Sequence, residues 1–127
     1  MNTSSRSSSP VLSSLLSVER LHILTDNNNK MLHALLTMTL QSNITDLQQA
    51  KSLFEQQAWD ELAKTIHRLS GAAQITGAQR TEIACRNLEK ACLVTSPEIS
   101  HLTTLWSEAK LAIDELNAAI NGFLQPQ

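Results

Sequence analysis

Aromatic side chains are nearly missing from this chain, with two tryptophans, two phenylalanines and no tyrosine in 127 residues. So few rings exclude the stacking platforms on which single-stranded nucleic acids are held. An excess of positive charge is missing too. Ten Lys and Arg stand against twelve Asp and Glu, a formal net charge of −2, so nothing draws a polyanion to the chain as a whole. No nucleic-acid partner is expected. Cysteine is reduced to Cys85 and Cys92. On one helix these are separated by about 10.5 Å of rise, too far for a disulfide. They read as reduced core thiols, which favours a cytoplasmic location. No second Cys or His cluster stands at zinc spacing, so neither metal nor cofactor is expected. No apolar run reaches membrane-span length and no signal peptide opens the chain, so direct membrane insertion is not expected either. Glycine is scarce, at three residues, whereas Leu, Ala, Gln and Glu are common, which favours helix.

The opening MNTSSRSSSP, residues 1–10, is low-complexity and Ser-rich. It reads as a disordered linker, with residues 11–127 as one domain around one core. Such a linker fits a module tethered to something larger, and equally an ordinary loose terminus. Apolar residues over 11–24 predict a short N-terminal helix, and Asp26 is an N-cap candidate for the next. Over 28–57, Leu32, Leu36, Leu40, Ile44, Leu47, Ala50 and Phe54 recur at steps of three and four, with Ser42 and Asn43 as a point of bending. A helix over 59–76 has Asp60 and Glu61 in its first turn, which suits the dipole, and Gly77 as its C-cap. Thr81, Cys85, Leu88 and Cys92 stripe a helix over 78–94. Ser96-Pro97 reads as N-cap and first helical residue of the last, 97–123, whose apolar face runs Leu102, Trp106, Ala109, Ile113, Leu116, Ile120, Phe123. No strand alternation is present. The fold class is all-α: an antiparallel four-helix bundle with an additional short N-terminal helix.

Within the 59–76 helix, Leu62, Ile66, Leu69 and Ala73 form the core stripe. His67 lies roughly 130° from it on a helical wheel, pointing to solvent or a partner. Its face holds Asp60, Ala63, Lys64, Ser70, Gly71 and Gln74, with Arg68 widening a basic edge. A histidine on a helix is ordinarily just a surface residue, and His22, His33 and His101 are read that way. A mid-helix glycine is different, because it costs roughly 1 kcal/mol against alanine. Gly71 falls opposite the apolar stripe, so helix packing does not explain it. Together with Ala63 and Ser70 it clears space around an imidazole that a macromolecule must reach. Neutral imidazole is a good nucleophile near neutral pH, and Lys64 and Arg68 would steady the charge of an arriving phosphoryl group.

The stretch HRLSGAAQITG, residues 67–77, resembles the signature of histidine-containing phosphotransfer (HPt) domains: histidine, Leu at +2, Gly at +4, Gly at +10. Downstream, GAQRTEIACRNLE (residues 77–89) is similar to that family's Gly-Ala…Cys…Leu-Glu continuation, and AWDELA (residues 58–63) to the entry of its histidine helix. The likeness covers about residues 18–124. It implies that His67 accepts a phosphoryl group, on its outer ring nitrogen, from an aspartyl phosphate on a receiver domain and passes it to a second receiver. It also implies a phosphorelay intermediate without its own ATP-dependent kinase activity, a monomer when isolated. The setting implied is the C-terminal module of a bacterial hybrid sensor kinase, at the cytoplasmic end of an inner-membrane protein. Three positions depart from the pattern: Ser70 where many members carry Lys, Thr81 in place of Leu, and Gln57-Ala58 in place of Gly-Asp. The first leaves more of the charge to Lys64 and Arg68.

A sensor-kinase dimerisation domain also carries a phosphorylated helix histidine, but there an acidic residue and then a proline follow. Here Arg68 follows, and the next proline is Pro97. A helical protein–protein interaction module without chemistry is the remaining alternative. A hydrolase or metal enzyme finds no support, since no His-Cys or Ser-His-Asp arrangement and no carboxylate pair flanking His67 can be placed.

Overall fold

A computed structural model of the chain describes residues 16–125, which form five helices: α1 (Val18–Leu24), α2 (Asn29–Glu55), α3 (Trp59–Thr76), α4 (Gln79–Cys92) and α5 (Ile99–Leu124). The Ser-rich segment 1–10 and the apolar start of the expected first helix lie outside the described residues. α2 packs on α3 and α5, and α4 packs on the same two helices. The four long helices therefore close a ring, antiparallel from one to the next because the connections between α2, α3 and α4 are only a few residues long.

The helix ends follow from local chemistry, not always where the sequence signals pointed. Asp26 does not cap α2. Asp26 and Asn27 take left-handed backbone conformations (φ 53° and 58°), which short polar side chains tolerate, and the cap passes to Asn28, whose side chain accepts from Met31 N at 2.9 Å. Ser96-Pro97 does not open α5 either. Ser96 is left-handed (φ 56°) and closes the preceding turn, so the helix starts at Ile99 with Glu98 as cap residue. Gly77 does end α3, at φ 71°. Ala78 N donates to Ala73 O at 2.8 Å and Gly77 N to Gln74 O at 3.2 Å, the paired bonds of a Schellman turn. The next two carbonyls of α3 are taken by α1: Ser17 N donates to Thr76 O (2.8 Å) and Arg20 Nε to Ile75 O (3.2 Å).

Packing divides the core into two clusters. One gathers Leu62, Ile66, Leu69, Cys85, Leu88, Leu102, Trp106 and Ile113, with Phe54 stacked on Trp106 at 5.4 Å. The other, at the Gly77 end, is sealed by Leu16 and Leu21 from the N-terminal segment against Leu32, Leu36, Ala73, Leu116 and Ile120. The expected stripes of α3 and α4 are all buried, and so is that of α5 except Phe123, which is exposed. Mid-α2 differs. Ile44 is exposed and Leu47 only half-buried, while Asn43 and Asp46 turn inward. Asn43 donates to Asn117 Oδ1 across to α5 at 3.0 Å, and Asp46 pairs with Arg68 of α3 at 3.2 Å. Polar partners waiting on α3 and α5 hold those two positions, since a buried polar group is tolerated when it is bonded.

Two stability expectations follow. A β-carbon at Gly77 would stand 2.5 Å from Ser17 Cβ, while one at Gly71 would meet nothing within 4 Å. Gly77→Ala should therefore lower stability by at least about 1–2 kcal/mol, through the left-handed φ and the collision. Gly71→Ala should raise it by up to about 1 kcal/mol. Urea midpoints of the two variants, moving in opposite directions, check this.

Cys85 and Cys92 are buried and unbridged. Burial first, and the nearby Glu89 carboxylate second, push their thiols up from about 9 to about 12 and about 11. The folded state keeps both protons at pH values where the unfolded chain has released them. Their contribution to stability is thus present below pH 9 and lost as pH rises from there through 11 and 12. Raising pH from 8 to 10 should not speed iodoacetamide labelling of the folded protein as it speeds labelling in urea. Native labelling that tracks ordinary thiol ionisation would contradict the burial.

Candidate functional site

His67 stands near the middle of α3 with 73% of its side chain exposed. Because α3 and α4 are joined by a two-residue turn, residues equidistant from Gly77-Ala78 lie level with each other, and His67 faces the Leu88–Glu89 level of α4. There, Nδ1 lies 3.1 Å and 3.3 Å from the two oxygens of the Glu89 carboxylate, which is itself 24% exposed. An ionised carboxylate only accepts. A neutral ring beside such a carboxylate donates from Nδ1 and carries its lone pair on Nε2, the nitrogen away from Glu89. The contact also stops the ring from turning freely, as carboxylate partners do for working histidines elsewhere.

Two shallow depressions meet at His67, Glu89 and Leu93. The first continues over Asp60, Glu61, Ala63 and Lys64, the second over Ser70, Gly71, Gln74, Arg86 and Lys90. Leu93 is 60% exposed between them, an apolar side chain just past the end of α4.

Of the residues selected from sequence, Ala63, Lys64, Ser70, Gly71 and Gln74 line these depressions beside His67. Lys64 is exposed, its ammonium 3.6 Å from Glu61. Ala63 and Ser70 are largely buried and form the floor of the depressions. The Ser70 hydroxyl donates to the His67 carbonyl at 2.7 Å, so it is committed to the backbone of its own helix. Arg68 is drawn off altogether. One residue further round the helix than His67, it points to α2, where its guanidinium donates to Asp46 (3.2 Å) and Gln49 (3.1 Å). The basic edge drawn on the wheel is thus a tie between helices. Sequence reasoning missed Glu89, Leu93, Arg86 and Lys90 as neighbours of the histidine, because a wheel describes one helix at a time. The signal that would have found them is the register of a tight helical hairpin about Gly77.

Comparison with known proteins identifies the family and the fold. The sequence profile described as the Hpt domain matches residues 34–120. The virulence sensor proteins BvgS of Bordetella parapertussis and Bordetella pertussis are each 27% identical over 101 residues, covering 77% of this chain. The chain spans only 8% of the length of those relatives. The crystal structure of the HPT domain from the Hpt sensor hybrid histidine kinase from Shewanella matches with a TM-score of 0.74 at 20% identity, over 88% of this chain and 95% of that one, a likeness of fold. With the family profile spanning most of the described helices, the chain belongs to the Hpt domain family and is a histidine phosphotransfer module of the phosphorelay type.

Proposed function

We propose that His67 is the phosphoacceptor and that Nε2 is the reacting atom. The observation that carries this reading is the pair of short contacts between Nδ1 and Glu89. In the step envisaged, the Nε2 lone pair forms a bond to phosphorus while the bond from phosphorus to an aspartyl oxygen breaks. The aspartate carboxylate leaves with that electron pair, and Nδ1 keeps its proton. The ring becomes cationic as the N–P bond forms, and the Glu89 carboxylate offsets that charge at hydrogen-bond distance. Transfer onward reverses the step. The same cationic ring is then the leaving group, and the next receiver's aspartate is the nucleophile. The carboxylate thus assists the attack and steadies the phosphorylated ring until the next receiver takes the group.

Around this centre, Lys64 supplies exposed positive charge to the phosphoryl oxygens, and Gly71 leaves the approach open. Ala63 and Ser70 form a small floor, and Gln74 adds a polar rim. Arg68 holds α3 to α2 and so keeps the His67 ridge in place. Tied to Asp46 and Gln49, its guanidinium is not placed to steady the phosphoryl group. The donor and acceptor are read as receiver domains. The module is read as a relay without an ATP step of its own, working within a cytoplasmic part of a hybrid sensor kinase. Support for that setting comes from the sensor relatives, and no described helix is long and apolar enough to cross a membrane.

His67→Gln should fold normally, because the side chain is exposed, and should take up no acid-labile phosphate from a phosphorylated receiver. Uptake by that variant would reject the assignment. Glu89→Gln retains an acceptor but loses the charge that assists the bond, and should slow phosphate uptake roughly tenfold. Glu89→Ala should slow it further and shift the ring tautomer, visible in the imidazole nitrogen NMR shifts. An Ala variant with wild-type rate and an unchanged tautomer would remove Glu89 from the chemistry.

A further inference from the structure

The two depressions that meet at His67 are not equally suited to an anion. A phosphoryl group brings roughly two negative charges near pH 7. The depression toward the start of α3 sets Asp60 and Glu61 against a single cation, Lys64, whose ammonium already lies 3.6 Å from Glu61. The other depression contains the open backbone of Gly71 and two cations, Arg86 and Lys90, both from α4. Glu89 borders both, so it does not discriminate between them. α3 itself gives the second depression no cation: its residues there are His67, Ser70, Gly71 and Gln74. Arg86 is bonded to Glu82 at 2.8 Å. Lys90 is exposed and, among the described residues, takes part in no ion pair.

The direction of Lys90 follows from the hairpin. By its register the Lys90 backbone is level with Thr65, about two residues to the Asp60 side of His67. Side chains on a helix lean toward its N-terminus, which in α4 means toward Gly77. The Lys90 stem therefore runs past the level of His67 and joins the lining of the Gly71 depression. Nothing anionic draws it the other way. Toward α5 it borders Asn87, Ala91, Val94, His101 and Leu105, with no carboxylate among them. We propose that the Gly71 depression is the phosphoryl subsite and that the Lys90 ammonium binds the phosphoryl oxygens in it. The proposal rests on the reading of His67 as the phosphoacceptor and adds a catalytic residue to that reading. As Nε2 bonds to phosphorus, the charge on the phosphoryl oxygens is met by a cation that has no ion pair to give up. Lys64 contributes from the other depression, its charge shared with Glu61.

Lys90→Gln, which keeps most of the length and removes the charge, tests it, with Lys90→Arg as the conservative variant. The side chain is exposed, so the bundle should survive, which circular dichroism checks. Phosphoramidate is the donor, because it has no docking surface. Its P–N bond breaks with loss of ammonia as the Nε2–P bond forms. Lys90→Gln should be labelled about tenfold more slowly, and Lys90→Arg should recover most of the rate. Phosphorus NMR of the phosphorylated protein, followed against pH, reports the contact itself. A neighbouring cation favours the fully ionised phosphoryl group, so in Lys90→Gln its last proton should leave at a pH higher by about half a unit or more. A wild-type labelling rate, or an unchanged titration, would overturn the proposal while leaving His67 as the acceptor. So would a deficit seen with a phosphorylated receiver but not with phosphoramidate, since that assigns Lys90 to docking alone. Labelling that survives in His67→Gln would instead overturn the acceptor reading, and this proposal with it.

Discussion

The Gly77-Ala78 turn is the constraint on which the geometry of the site depends. Only two residues separate α3 from α4, so the helices have no freedom to slide past each other, and every level of α4 is assigned to a level of α3. Glu89 reaches the His67 ring because of that assignment. The same register places Cys85 and Leu88 against Leu62, Ile66 and Leu69 in the core. The turn is over-determined. A left-handed glycine, two Schellman bonds and two further donors from the α1 region converge on the last carbonyls of α3. A helix C-terminus leaves several carbonyls without partners. Here they are satisfied by a segment that also plugs the end of the core with Leu16 and Leu21.

The histidine ridge is braced from both sides. On the α4 side the brace is the Glu89 contact. On the α2 side it is Arg68, bonded to a nearly buried Asp46 and to Gln49. Neither contact need contribute much to net stability, since ion pairs at this degree of exposure are worth little. Their value is directional. Neighbouring residues 67 and 68 diverge by about 100° on the helix, and each is tied to a different neighbour, so α3 cannot rotate without breaking one tie. On the role proposed for His67, a nucleophile that must meet phosphorus in line benefits from that restriction more than from extra affinity.

What could be read in advance divides along a physical line. Periodicity within one helix was a sound guide where apolar residues dominate, and the stripes of α3 and α4 proved buried as expected. It failed in mid-α2, because leucine and isoleucine were assumed to win the inward positions. Asn43 and Asp46 hold them instead, through partners on other helices that no single-helix pattern reveals. The Ser96-Pro97 signal misled for a related reason: both residues are as suited to a turn as to a helix start, and the six residues between α4 and α5 needed the turn. At the site, the exposure of His67 and the openness at Gly71 were legible from the wheel. Glu89 was not, although its residue lay within the quoted likeness, because its role exists only across the hairpin.

The two glycines of the histidine helix show how stability and function divide. Gly77 is demanded by the fold, since its φ of 71° and the adjacent Ser17 leave no room for a side chain. Gly71 is demanded by nothing in the folded chain. Its φ is ordinary for a helix, and a β-carbon there would enter open space. The helix nevertheless bears a cost of roughly 1 kcal/mol at that position, a noticeable part of the 5–15 kcal/mol that holds a domain together. Local costs without local compensation are a mark of sites where stability has been traded for activity. Gly71 lines the depression that opens on His67, and it also lines the groove between α2 and α3. A side chain there would project between the histidine and whatever approaches from either side. On the function proposed here, the bare backbone is a vacancy kept for the surface of another protein.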